Sequence, residues 1–170
     1  MGEIKLTKNS IENAILTDGK LVGGYVDGNG YISAKGNGTI VFGNSSNGGV
    51  IDASGIGSFA HGYAKLNNSY PDIHSKINAS GTASHAEGCA IGGLIDASGY
   101  GAVAMGYAEL GTISATGHGA HAEGYANYGS LDASGWGAHA EGLNTKALAD
   151  EAHAEGYKSI ASGAHSHAEG

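Results

Sequence analysis

The chain contains few of the bulky side chains that fill an ordinary protein core. Among its 170 residues there are 2 Phe, 1 Trp and 2 Met, although a chain of this length normally forms one domain with a conventional core. Proline is nearly absent, with 1 residue, whereas glycine reaches 32. Abundant glycine without proline excludes collagen and flexible linkers. It indicates many tight turns that join short, thin strands.

Basic residues and cysteine are also scarce. Lys and Arg together number 8 against 16 Asp and Glu, which gives a net charge of −8. Because binding to nucleic acid requires a basic surface, this balance argues against a nucleic-acid partner. The single cysteine, Cys89, excludes an intrachain disulfide. The first ten residues lack the apolar segment of a signal peptide, and no run approaches 18 apolar residues, so we expect neither a leader nor membrane insertion.

A short repeat occupies most of the chain and is clearest in residues 113–142, where 113–124 align with 131–142 position by position. Each copy closes on a glycine, and these glycines are Gly43, Gly62, Gly88, Gly106, Gly124, Gly142, Gly156 and Gly170. Their spacings of 19, 26, 18, 18, 18, 14 and 14 residues define a minimal 14-residue unit. We expect the extra residues of the longer copies to lie between the closing glycine and the next strand. A short fixed period is typical of stacked coils, each of which completes its core against its neighbours.

This repeat divides the chain into two parts. Residues 1–31 do not follow it cleanly and are predicted to form an N-terminal cap or docking segment. Residues 32–170 are predicted to form the repeat domain, with about eight copies. The 26-residue spacing places an inserted loop at 65–76, which contains the single proline.

Two positions of the unit are almost always alanine. Alanine stands nine residues before every closing glycine, from Ala34 to Ala161, and two residues before it from Ala60 to Ala168, with Val41 in the first copy. Two small residues seven positions apart indicate two strands per coil, folded so closely that only methyl groups fit between them. Because side chains alternate faces along a strand, the positions three and one before the glycine point together, away from the alanine face.

The pair of positions that points away from alanine is polar in some copies and apolar in others. The pairs are Ile40/Phe42, Phe59/His61, His85/Glu87, Val103/Met105, His121/Glu123, His139/Glu141, His153/Glu155 and His167/Glu169. Apolar occupants in several copies indicate that this face is buried in all of them. A thin roll already filled by alanine can bury a second face only against other subunits, so the sequence predicts an oligomer.

The ASG and HAEG motifs at 14-residue spacing, clearest in SIASGAHSHAEG at 159–170, resemble the YadA-like head repeats of trimeric autotransporter adhesins. The most similar variant has SHAEG in place of the hydrophobic pair and occurs in phage tail and appendage proteins. The resemblance covers roughly 32–170 and implies an all-β, left-handed parallel β-roll packed as a homotrimer. In that trimer the alternating pairs would face the common axis. The 18-residue copies and the insertion around Pro71 depart from the family, so the structure of those loops is not implied.

The His and Glu pairs allow three interpretations. They could form a buried polar network between chains or layers, hold an ion on the axis through symmetry-related imidazoles, or act in catalysis. Catalysis is the least favoured, and the HExxH zinc signature is absent because His and Glu stand two residues apart on a strand. Because buried charges are costly unless paired, we favour the network. Mixed polar and apolar layers would then fix the register of the chains, as polar residues do in coiled coils.

Two sets of residues are candidates for ligand contact. An exposed row on turns, formed by Ile56, Tyr100, His118 and Trp136, would suit a carbohydrate or protein, with packing between subunits as the alternative. Tyr70, Asp72 and His74 in the inserted loop form the second set, although insertions in surface loops are cheap and often carry no function. The tyrosines after the closing glycine recur too regularly for a unique site and are predicted to stack; they are Tyr63, Tyr107, Tyr125 and Tyr157.

These features favour an attachment protein that is not an enzyme and needs no cofactor. The expected assembly is a homotrimeric fibre or head of a phage tail fibre or appendage, located in the virion, that binds a bacterial surface glycan or protein. A bacterial trimeric cell-surface adhesin is the near alternative. A glycan-degrading tail-spike-like enzyme would need two carboxylates at an exposed, non-repeating place. An ice-binding solenoid would need a column of short polar residues, and the threonines share no column.

Overall fold

The computed structural model describes residues 4–6, 15–17, 19–70 and 74–170, so Asp72 and Pro71 lie outside the described residues. All the regular elements in these ranges are strands. In chain order they are β1 (Ile4–Leu6), β2 (Ile15–Thr17), β3 (Lys20–Val26), β4 (Tyr31–Ala34), β5 (Ile40–Ser46), β6 (Val50–Ala53), β7 (Phe59–Lys65), β8 (Lys76–Ala79), β9 (His85–Ile91), β10 (Leu94–Ala97), β11 (Val103–Glu109), β12 (Thr112–Ala115), β13 (His121–Asn127), β14 (Ser130–Ala133), β15 (His139–Leu143), β16 (Lys146–Ala147), β17 (His153–Tyr157), β18 (Ile160–Ala161) and β19 (His167–Glu169).

The strands form two sheets that run the length of the molecule. One is ten-stranded, in the order β19-β17-β15-β13-β11-β9-β7-β5-β3-β2, and the other is nine-stranded, in the order β1-β4-β6-β8-β10-β12-β14-β16-β18. Except for the antiparallel pairs β1–β4 and β2–β3, neighbouring strands are parallel. The chain therefore winds alternately through the two sheets and forms a parallel β-solenoid of about eight turns. This confirms the all-β, two-strand coil expected from the repeat.

Equivalent positions of the repeat lie directly above one another. Gly88 pairs with Gly106 and Gly106 with Gly124, and the alanines two residues before them pair in the same way. At each closing glycine the backbone takes a positive φ, +136° at Gly88, and a Cβ there would lie 1.9 Å from the carbonyl oxygen of Gly106. Only glycine fits this conformation and this approach of neighbouring coils.

The two alanine columns form the centre of the solenoid, as predicted. Ala86 and Ala97 have no exposed surface, and the same holds for most of their equivalents. A third column, which sequence analysis overlooked, contains the larger side chains of the core: Ile32, Ile51, Ile77, Ile95, Ile113 and Leu131, all fully buried. These residues stand two positions before the alanine of the nine-stranded sheet, so they point to the same interior.

The extra residues of the 18-residue copies were expected between the closing glycine and the next strand. In the structure they lie partly within the strands. The strand β13 has seven residues and β14 has four, whereas β15 and β16 in the first 14-residue copy have five and two. Each long coil therefore adds two residues to both of its strands. One of the added residues in each strand, Ala126 and Leu131, points into the core. Long coils are consequently wider than short coils.

In the structure, the repeat begins earlier than residue 32, and the inserted loop is shorter than 65–76. The strand β3 lies within the predicted cap, yet it pairs in parallel with β5 through Leu21 to Val26 and continues the same ladder. Val22 occupies the alanine position there and is fully buried. In the inserted segment, Lys65 ends β7 and Lys76 begins β8, so the described residues outside strands are 66–70 and 74–75.

Candidate functional site

The alternating pairs form one continuous stripe on the outer face of the ten-stranded sheet. Strand alternation places them opposite the buried alanines, and the parallel register stacks each pair on the next, with His121 on His139 and Glu123 on Glu141. The apolar pair Val103 and Met105 lies within this stripe between His85/Glu87 and His121/Glu123. Ile40, Phe42 and Phe59 continue it toward the N-terminal end. We call this surface the paired stripe.

Within each polar layer the imidazole lies beside the carboxylate of its own strand. The distance from Nε2 to a carboxylate oxygen is 3.2 Å between His85 and Glu87, and 3.4 Å between His121 and Glu123. The other imidazole–carboxylate distances in the stripe are 3.8–4.0 Å both within and between layers, such as 3.9 Å from His61 Nδ1 to Glu87. Despite this proximity, Nε2 of His85, His121, His139 and His153 is buried and has no hydrogen-bond partner among the described residues.

The imidazoles of three successive coils stack on one another. The His121 and His139 rings have centroids 4.9 Å apart and lie 9° from parallel, and His139 and His153 are 4.8 Å apart and 4° from parallel. Partial burial, followed by the neighbouring imidazoles, lowers the pKa of His139 below its ordinary value, while Glu141 and Glu123 oppose this shift. A neutral imidazole is therefore favoured at His139, because protonation would place a charge between two other histidines.

Two groups in the paired stripe contain ligand types suited to a metal ion. One comprises His139, Glu141 and His153, and the other Glu155, His167 and Glu169; within each group, the ligand atoms lie within 4.8 Å of one another. In a closed zinc site the bonds are about 2.0–2.2 Å long. Side-chain rotation toward a common centre would be needed to hold one ion, so the axial ion stays a prediction.

The row of Ile56, Tyr100, His118 and Trp136 lies on the turns that lead into the ten-stranded sheet. Backbone hydrogen bonds link the turns, from Gly119 N to Tyr100 O at 2.8 Å and from Gly137 N to His118 O at 2.9 Å. The His118 ring lies 6.1 Å from Tyr100 and 5.1 Å from Trp136, between centroids. The side chains are exposed, Trp136 by 64%, so the turns carry a row of exposed, mostly aromatic side chains.

The column after the closing glycine is mixed. Tyr107 and Tyr125 stack with centroids 5.3 Å apart, but Cys89 occupies the position between Tyr63 and Tyr107, and Leu143 the position after Tyr125. The predicted stacking is therefore local to Tyr107 and Tyr125. The Tyr125 hydroxyl donates to Glu109 at 2.5 Å, which raises the pKa of Tyr125.

The described residues of the inserted segment lie along the corner between the two sheets. Asn67 lies beside Gly92 of the next coil. Tyr70 lies beside Tyr128, and a hydrogen bond between their side chains raises the pKa of Tyr128. His74 lines a small groove with Leu94 and Leu110. Tyr70 and His74 are thus separated along the corner, and the structure does not describe Asp72, the third predicted contact.

Sequence analysis missed a groove at the step from long to short coils. It is lined by Tyr128, Leu143, Lys146, Tyr157, Lys158 and Ile160, among other residues, and we call it the ledge. The change of spacing from 18 to 14 residues after Gly142 marks its position in the sequence, since a narrower coil must leave part of the wider one uncovered. The conformation of the intervening residues could not be inferred from the spacing alone.

The function has to be argued from the fold and these surfaces, because the comparisons with known proteins found no match. A scan of protein-family models finds no match to this chain, and a search of curated proteins finds no significant match. No helix in the described part of the chain is long and apolar enough to span a membrane. The class defined by the structure is a parallel β-solenoid with one stripe of paired polar and apolar side chains.

Proposed function

We propose that this chain is the β-solenoid of a homotrimeric attachment fibre, in which the paired stripe of each subunit faces a common axis. The observation that carries the proposal is the paired stripe itself, in which the half-exposed imidazoles of His85, His121, His139 and His153 lie beside half-exposed carboxylates without a completed hydrogen bond at Nε2. Buried polar atoms in folded proteins are nearly always hydrogen-bonded. When a second chain covers the stripe, these half-exposed pairs can complete their hydrogen bonds with each other or with the pairs of that chain.

The apolar layers of the same stripe support a protein partner. Val103, Met105, Phe42 and Phe59 are only partly buried in the single chain, and Ile40 is exposed. Burial of these side chains between subunits would stabilise an assembly by about 25 cal/mol for each Å² of apolar surface removed from water. An identical chain fits best, because its layers repeat at the same spacing and in the same order.

A trimer with left-handed coils is the arrangement that the resemblance to YadA-like heads implies. Its role would be attachment to a bacterial surface glycan or protein, as part of a phage tail fibre or appendage in the virion. A bacterial surface adhesin would use the same architecture. The carboxylates of the stripe recur in equivalent layers, whereas glycoside hydrolysis needs one distinct pair, so we assign the chain no catalysis.

The subunit number in solution tests the assembly. We expect light scattering to give three chains per particle. Val103→Asp should give monomers, because it places an unpaired charge in the stripe. Ile56→Asp, a matched substitution on an exposed turn, should leave three. A wild-type chain that remains a folded monomer would refute the trimer.

Binding to cells tests the role. Fluorescently labelled wild-type protein should bind a panel of bacterial surfaces in a strain-dependent way, and removal of surface polysaccharide or surface protein should identify the receptor class. A verified trimer that binds none of the surfaces, or all of them equally, would contradict attachment.

A further inference from the structure

The ledge is created by the change in coil width. In the ten-stranded sheet the ladder between β13 and β15 ends at Tyr125 and Leu143, and in the nine-stranded sheet the ladder between β14 and β16 includes only Asp132 with Lys146 and Ala133 with Ala147. The ends of the last long coil therefore project beyond the short coils. The open groove above this step has a volume of about 520 Å³, which lies in the range of ligand sites.

The rim of the ledge combines apolar rings with positive charge. Tyr128, Tyr157 and Ile160 are exposed by 68%, 58% and 56%, so large apolar surfaces are left in solvent at one place. Lys158 Nζ lies 4.9 Å from the centre of the Tyr157 ring, and Lys146 also lines the groove. This combination offers a flat apolar surface beside two ammonium groups.

The charge of the ledge differs from that of the surrounding solenoid. Residues 77–170 contain ten Asp and Glu but only two lysines and no arginine, and both lysines line this groove. Lys35 and Lys76 pair with Asp52, whereas neither ledge lysine forms an ion pair with a carboxylate among the described residues. Asp132 is the nearby acid whose charge interacts with Lys146. An anion would therefore be repelled along most of residues 77–170 and attracted at the ledge.

We propose that the ledge binds an acidic saccharide, through its carboxylate or phosphate groups, at Lys146 and Lys158. This inference rests on the proposed attachment function, since it names the ligand class and the place where the fibre would bind it. A sugar ring presents an apolar C–H face that fits against a tyrosine ring, and hydroxyl groups that suit a wet, polar rim. Lysine binds carboxylate and phosphate as a point charge.

A saccharide fits the ledge better than a peptide does. Peptide anchors in protein interfaces are centred on deep, fully desolvated pockets, whereas this groove is open and its largest apolar side chains remain exposed. The two asparagines that line it are already hydrogen-bonded to each other, because the Asn144 side chain accepts from Asn127 N at 3.1 Å and donates to Asn127 O at 3.0 Å. Specificity must therefore come from the rings and the lysines.

Calorimetric titration of the full chain with three probes tests the ledge. The probes are an oligogalacturonate, which carries carboxylates, a phosphorylated mannan oligosaccharide, and a neutral dextran oligosaccharide of similar length. We expect at least one acidic probe to bind and dextran not to bind. The double substitution Lys146→Gln and Lys158→Gln should weaken binding by about tenfold or more, because each lysine contributes a charge-assisted hydrogen bond. The control Lys65→Gln removes a lysine outside the ledge and should not change affinity.

The outcomes separate this inference from the proposed function. Equal binding by wild type and the double variant, equal weakening by Lys65→Gln, comparable binding of dextran, or no binding of either acidic probe would each overturn the ledge site. A change in subunit number in the double variant would also overturn it, because the groove would then be a contact between copies. If the ledge is overturned but the protein is a trimer that binds cells, the proposed function still holds and only the ledge site is rejected.

Discussion

At the scale of single residues, the closing glycines set how closely the coils stack. The equivalent glycines of consecutive coils approach through their backbones, so a side chain at any of them from Gly43 to Gly156 would meet a carbonyl oxygen. The glycine after each exposed turn residue also has a positive φ, but there the space is open, as at Gly101. Ala83 occupies that turn position in another coil with φ of 55°. The closing column therefore requires glycine for space and conformation, whereas the turn column favours it for conformation alone.

Substitution of one glycine from each column should separate these reasons. Gly106→Ala places a Cβ 1.9 Å from Gly124 O at φ +135°, and we expect it to lower the free energy of unfolding by about 3 kcal/mol or more. Gly101→Ala should cost only about 1 kcal/mol, the strain of a left-handed alanine. Urea unfolding followed by circular dichroism measures both. Equal losses would show that the coils can separate to admit a methyl group.

At the scale of elements, the stacked imidazoles make the ten-stranded sheet sensitive to acid. The folded structure lowers the pKa of His139 from the ordinary value of 6.5. The unfolded chain therefore binds the proton more readily than the folded chain does. The contribution of His139 to stability is complete above about pH 6.5 and is lost as the pH falls from there through the lower folded pKa.

We accordingly expect the urea midpoint to fall between about pH 7.5 and about pH 5.5. His139→Gln removes the titrating group from the centre of the stack, so its midpoint should depend less on pH over that range. His118→Gln, on an exposed turn, is the matched control and should keep the wild-type dependence. A His139→Gln variant with an unchanged or steeper dependence would show that His139 does not cause the acid effect.

The same scale shows what could be predicted from the sequence. The alanine and glycine columns recur in nearly every copy, so their spacing was sufficient to predict two strands per coil. The isoleucine column was overlooked because it is interrupted: Thr145 takes its place in the first short coil, where it is fully buried and donates to Glu141 O. The ledge could not be predicted because Tyr128 and Gly129 are typical of a loop in sequence, while the strands on both sides of them extend through Asn127 and from Ser130.

At the scale of the whole molecule, uniform coils create a problem of register. Parallel strands that stack in the same way at each level allow a neighbouring chain to shift by one coil, about 4.8 Å, and pair almost equally well. The paired stripe opposes such a shift in the proposed trimer, because the Val103/Met105 layer lies between polar layers. A chain shifted by one coil would place apolar side chains against imidazole and carboxylate groups, which costs desolvation without a partner.

Replacement of His121 by Val and Glu123 by Ile should therefore preserve folding and increase the fraction of misregistered trimers. Exchange of a polar pair for apolar residues of similar volume is often neutral for stability, so the loss should be one of register. A spin label at Ile56→Cys, in a Cys89→Ser background, reports it: the variant should broaden the distribution of distances between chains, because each slip by one coil moves a label about 4.8 Å along the axis. The control Val103→Ile with Met105→Leu keeps the layer apolar and should give the narrow wild-type distribution. If the His121/Glu123 variant were monomeric and unfolded, the polar layers would serve stability and not register.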